Sequence, residues 1–234
     1  MVVADPAAEL LGLVRGLGDP APARALSSQH RAAELIRRRF GLALPPPFAG
    51  PPSATDPVRP ATASDCAAIA SVKWRVFGTN YRHGVLSDAF LDDREVYPPI
   101  SFWIGRAMVP PSRRHRLLVW GRPGTVSGYA DCGPVHPDDV TDGCPEAGEV
   151  YELYVDPSVQ GTGGGSRLLE AAETWLRDVG YTRLELNVLD TNRSAQAFYR
   201  ARGWTPTGKV THVDLGTVAF DEVRYARGDG TAYP

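Results

Sequence analysis

Helical spacing governs the first forty residues. Within residues 7–17, Leu10, Leu11, Val14 and Leu17 recur three and four apart, which sets them on one helix face. Gly12 and Gly16 weaken that helix, and the Gly18–Asp19–Pro20 turn ends it. A second helical stretch over residues 23–40 places Ala33, Leu35, Ile36 and Phe40 beside Arg37, Arg38 and Arg39. Pro45, Pro46, Pro47, Pro51, Pro52, Pro57 and Pro60 follow. Proline fixes φ and supplies no N–H, so this is a stiff, extended linker rather than core. The pattern divides the chain into a helical extension with its linker (1–57) and a domain (58–234).

Within the domain the alternation of apolar and polar positions changes period repeatedly. "VRPATASDCAAIASVKWRVF" reads as a short strand and then a helix capped by Ser64, with Asp65 in its first turn. Helical pattern starts again near Ser87 and resumes after Pro98 and Pro99. The runs "RLLVWG" and "VSGYADC" read as strands joined by an "RPGT" hairpin turn. A strand over 149–155, a helix over 163–179, a strand over 183–188 and a helix over 192–201 come next. "KVTHVDL" and "AFDEVRY" close the chain as strands. The expected class is α+β: a mixed sheet with a strand–helix–strand unit at its middle.

Composition acts mainly by exclusion. A net charge of −2 over 234 residues gives no basic field for nucleic acid, and the basic runs at 37–39 and 113–116 read as solvated faces. Cys66, Cys132 and Cys144 are odd in number and unevenly spaced, which fits reduced thiols in a cytoplasmic protein. The first residues carry Asp5 and Glu9 and no basic n-region, and no run approaches the ~20 apolar residues of a membrane span. No metal site, nucleic-acid partner or membrane partner is expected.

The strongest local signal is "QGTGGG", residues 160–165, between a predicted strand and a predicted helix. Such a loop exposes the free amides of a helix start to an anion, or serves as a tight turn. A P-loop would need Gly-Lys-Ser/Thr, but Ser166 and Arg167 follow. A dinucleotide fingerprint would need a third glycine where Ser166 stands.

A third pattern fits. "QGTGGG" resembles the Q/R-x-x-G-x-G/A loop of the GNAT superfamily of acyl-CoA-dependent N-acyltransferases. "ELYVDPSVQG" resembles that family's central strand, and "NRSAQAFYRARGW" (192–204) its second signature, N-x-x-A-x-x-x-Y followed by G-F/W. The resemblance covers roughly residues 58–227, in order. It implies a mixed, mostly antiparallel sheet flanked by helices. One departure is Gly164, where the family usually carries Ile, Val or Leu; it removes packing beneath the loop but leaves the amides.

The resemblance also implies roles. Gln160, Gly161, Thr162, Gly163, Gly164, Gly165 and Ser166 would grip the pyrophosphate of acetyl-CoA, the co-substrate. Backbone amides of Tyr154 and Val155 would polarise the thioester and pair with the pantetheine arm, and Asn192 would bond the cofactor, cap a helix, or both. An alkyl amine with pKa ~10.4 is mostly ammonium at pH 7, so a base must take its proton. Glu152 is favoured for that role, with Glu149 in reserve. Tyr199 stands where family members carry a tyrosine that hydrogen-bonds the departing sulfur.

The acceptor is less determined. Trp74, Tyr81, Phe90, Tyr97 and His212 are candidate pocket residues, and the acidic stretch from Asp138 to Glu149 would favour a cationic amine. The expected function is acetyl transfer to a primary amine of a small cationic metabolite, polyamine or antibiotic. Alternatives are a peptide or protein amine acceptor, or a non-catalytic acyl-CoA-binding module. A homodimer is compatible with all of these.

Overall fold

A computed structural model describes residues 56–82, 86–92, 97–123, 125–135, 147–214 and 218–228. The predicted helices of the extension and the acidic stretch at 136–146 lie outside the described residues.

Seven strands form one sheet. They are β1 (Val58–Pro60), β2 (Arg116–Arg122), β3 (Thr125–Pro134), β4 (Ala147–Val155), β5 (Arg183–Leu189), β6 (Thr205–Asp214) and β7 (Ala219–Gly228), in the order β1-β2-β3-β4-β5-β7-β6. Every neighbouring pair is antiparallel except β4 and β5. The "RLLVWG" run alternates between two cores. Leu117 and Val119 face α1 (Cys66–Asn80) and α3 (Ile100–Met108), while Leu118 and Trp120 face α4 (Gly164–Asp178). A strand covered on both faces reads as continuous apolar sequence. The short α2 (Asp88–Asp92) adds Phe90 and Leu91 to the first of these cores.

The helices follow their spacing. Leu168, Leu169, Ala172 and Leu176 lie on one face of α4 and are buried against the sheet. Each buried leucine there contributes about 1.5–3 kcal/mol of transfer free energy. The start of α1 differs from expectation. The cap is Thr62, ahead of a 3-10 turn (Ala63–Asp65), with the Asp65 carboxylate accepting from the Thr62 amide and hydroxyl. Asp65 is fully buried and forked by Arg59 at 2.8 Å on both oxygens. Burial alone would raise its carboxyl, but Arg59 and Thr62 outweigh that and hold it at about 2. Ser64 is exposed, its hydroxyl only meeting that of Thr62.

One irregularity positions the site. Asp131 pairs with Glu152 while the next β3 residue, Cys132, pairs with Val150, so Tyr151 is an extra residue in β4. Such a bulge bends its strand and strengthens the local twist. On the other side β4 keeps only three rungs with β5, ending at Glu149↔Glu185. Beyond that rung the two strands splay.

Candidate active site

The splay opens a cavity of about 720 Å³, lined by residues 150–155 of β4, 187–189 of β5, the glycine loop and α5 (Arg193–Arg200). At one end stands the start of α4. Its N-cap, Gly163, has φ +94° and offers no side chain, so the first-turn amides have no side-chain cap. A Cβ on Gly163 would meet no protein atom within 4 Å. Thr162 is turned back, its hydroxyl donating to the Val159 carbonyl, and Gln160 donates to the Val155 carbonyl.

Gly164 corrects an expectation. The space beneath it is not empty, because the buried Trp120 indole fills it, and a Cβ on Gly164 would lie only 2.1 Å from its Cζ3. An indole from β2 thus takes the volume that an aliphatic side chain usually occupies. Gly164→Ile is therefore expected to lower stability by about 1–3 kcal/mol through overpacking. Thermal melts of Gly164→Ile, Trp120→Ala and the double variant check this. The double variant should recover part of the combined loss, and strict additivity would show that the two sites do not compete for space.

The Asp156 amide donates to the Ser127 carbonyl of β3 at 2.8 Å. Strand amides alternate between edges, so the Val155 amide faces the cleft and the Tyr154 amide faces β3. Of the two amides named from the sequence, only that of Val155 faces the cleft. Tyr154 brings its ring instead, edge-on to Tyr129 and Phe77 at 5.6 and 5.7 Å.

The bulge also decides where the glutamates point. Strict alternation would set Glu149 and Glu152 on opposite faces; their partners Gly133 and Asp131 show that both point to the same one. Glu152 lines the cleft, with one carboxylate oxygen accepting from Lys73 Nζ at 2.5 Å and the other from the Tyr129 hydroxyl at 2.6 Å. Glu149 is buried, accepts from Asn187 Nδ2 at 3.3 Å, and does not line the cavity. Beside this pair Asp131 accepts from Arg106 at 2.6 Å; burial pushes its carboxyl up to about 6 against the pull of the guanidinium.

Tyr199 is buried at the cleft, its ring 5.1 Å from Phe198 and 6.2 Å from Trp204. Burial, and then the neighbouring Tyr81 phenol, raises its pKa well above that of free tyrosine. The Gly-Trp after it has a structural reason. Gly203 is left-handed at φ +81°, and the amides of Gly203 and Trp204 donate to the carbonyls of Arg200 and Tyr199 in a Schellman closure. That turn aims the Trp204 indole N–H at Glu173 of α4, 2.8 Å away, so the second signature clamps the helix of the first. Asn192 caps α5, its Oδ1 accepting from the Ala195 amide at 3.0 Å, and lines the cleft as well.

Among the aromatic candidates, Tyr81 and Phe90 line the cleft. Trp74 is 40% exposed and meets the Tyr97 ring at a tilt, centroids 4.6 Å apart, and His212 lies exposed on β6 against Asp221. Lys73 and Arg202 also line the cleft, and the sequence reading passed over both. Lys73 carried a usable signal: it falls four residues after Ile69 on the buried face of α1, where a lone cation needs a partner. Among the described residues no group could hold a metal ion, and no helix is long and apolar enough to cross a membrane.

Residues 83–204 match the family described as "Acetyltransferase (GNAT) family". The chain is 32% identical over 141 residues to the mycothiol acetyltransferase of Sanguibacter keddieii, covering 60% of this chain and 40% of that protein. It is 29% identical over 208 residues to the mycothiol acetyltransferase of a Nocardioides species, covering 84% of this chain and 66% of the relative. The chain thus spans less than two thirds of either relative. The fold is similar to that of the PaiA N-acetyltransferase of Thermoplasma acidophilum, solved in complex with coenzyme A. The TM-score is 0.57 and the identity 17%, over 75% of this chain and 99% of that one.

Proposed function

The chain belongs to the GNAT acetyltransferase family, and on that premise we propose that it moves an acetyl group from acetyl-CoA to a primary amine of a small metabolite. The observation that carries this reading is that one cleft holds the uncapped amides of α4, the Val155 edge amide, Glu152 and Tyr199. The α4 amides suit a diphosphate, and the splayed β4 edge suits an extended pantetheine arm. The Val155 amide donates to the thioester carbonyl oxygen as it becomes an oxyanion. The acceptor nitrogen attacks that carbon, and Glu152 takes its proton, directly or through water. Collapse breaks the C–S bond, and the Tyr199 hydroxyl hydrogen-bonds the departing sulfur.

The relatives named mycothiol acetyltransferase favour a small-molecule acceptor over a protein. The described wall carries Lys73 and Arg202 against Glu152 and Glu222, a balanced set. We therefore read the acceptor as an amine without a requirement for further positive charge. Residues 1–57 are read as a separate extension. Asp56 is the first described residue, and it is tied to the sheet by Arg122.

Calorimetry with acetyl-CoA, followed by a thiol-release assay over an amine panel, tests the proposal. Binding with thiol release on small amines is the expected result. Binding without release from any amine would favour a non-catalytic acyl-CoA module. Absence of binding at high micromolar concentration would overturn both.

A further inference from the structure

Arg202 stands where a cation is out of place. It follows α5, and its guanidinium lies 3.7 Å from the centroid of the Phe198 ring. One amino group donates to the Phe198 carbonyl at 2.9 Å, and the other donates to the Ser166 hydroxyl in the first turn of α4. That end of α4 is the positive end of its dipole. Its first turn contains no acidic residue. Among the described residues no carboxylate forms an ion pair with Arg202. A guanidinium locked by stacking beside uncapped amides concentrates positive charge around one point of the cleft, next to Gly163 and Gly165.

We infer that Arg202 is a donor-binding residue that pairs with a phosphate of acyl-CoA, supplying the charge that the glycine loop lacks. This rests on the reading of the cleft as an acyl-CoA site. The loop provides neutral amide donors, and unlike a P-loop it carries no lysine. Arg202 fills that role from the other side, from a position two residues before the end of the second signature. Its planar fork suits phosphate oxygens, and the donors not used by Phe198 and Ser166 remain for the ligand.

The test is calorimetry of the full chain and of Arg202→Gln with CoA, dephospho-CoA and phosphate-free pantetheine, with melting temperatures measured alongside. Loss of a charge-assisted contact should weaken CoA binding by about 10- to 100-fold and leave pantetheine binding within about twofold. Loss with CoA but not dephospho-CoA assigns the contact to the 3′-phosphate, and equal loss with both assigns it to the diphosphate; each supports the inference. Arg202→Lys keeps the charge without the fork and should fall between the two. A lower melting temperature with unchanged CoA affinity would reduce Arg202 to a helix cap and overturn the inference. So would an equal loss with pantetheine. Failure of the wild-type chain to bind CoA overturns the acyl-CoA reading as well, whereas wild-type binding matched by Arg202→Gln overturns this inference alone.

Discussion

Glu152→Gln is expected to lower kcat/KM for an amine acceptor about 100-fold near neutral pH, the usual scale for loss of a general base. Activity should return as pH rises toward the acceptor's own pKa, because free amine then forms without help. The carboxylate is held by Lys73 and Tyr129, one on each oxygen, and each oxygen keeps a further lone pair for the acceptor's proton. Glutamine preserves the shape and one oxygen but has no basic site. The same change leaves Lys73 facing an amide instead of an anion, so a stability loss of about 1–3 kcal/mol should accompany it. Lys73→Met separates the two effects, since it removes the cation and keeps the carboxylate. It should lower turnover less than Glu152→Gln does, because the base itself remains. A Glu152→Gln enzyme with an unshifted profile would remove Glu152 from the role. Glu149, buried against Asn187, is badly placed to replace it, which would leave water as the base.

Tyr199→Phe is expected to reduce kcat by about 10- to 100-fold while CoA affinity stays within about twofold. The hydroxyl acts after the nitrogen has attacked, when charge collects on sulfur, so its loss falls on turnover rather than on ground-state binding. Burial raises the phenol's pKa, so it remains protonated through the working range and serves as a hydrogen-bond donor. An alkaline limb in the pH profile should therefore survive the mutation unchanged. Among the described residues the Tyr199 hydroxyl has no hydrogen-bond partner, so phenylalanine should fold with a melting temperature close to wild type. Parallel steady-state kinetics and CoA calorimetry decide the matter. Equal losses in kcat and CoA affinity would make Tyr199 a wall of the cofactor site and nothing more.

Much of this was legible along the chain. A short continuous apolar run marked β2, the alternation of Leu184, Leu186 and Val188 marked β5, and the three- and four-residue spacing of Leu168, Leu169, Ala172 and Leu176 marked α4, because each pattern reports which faces are buried. The order of elements from Val58 onward was readable, as were the two signatures with Asn192 and Tyr199. The cap at Thr62 was not, since Ser64 and Thr62 are both good caps and the choice depends on Arg59 fixing Asp65.

What sequence alone determined is the set of local preferences: which segments are helices, which are strands, and that a glycine-rich loop opens a helix. Those follow from backbone conformation and from hydrophobic period, both properties of neighbours in the chain. Tertiary structure decided everything that depends on partners distant in sequence. The extra residue Tyr151 exists only in the register of β4 against β3, yet it turns Glu149 and Glu152 to one face and marks where β4 parts from β5. The indole beneath Gly164 comes from β2, the cation on Glu152 from α1, and the arginine beside Ser166 from beyond α5. Contacts of this kind arise from the packing of whole elements, and no local pattern in the chain encodes which distant side chain will meet which.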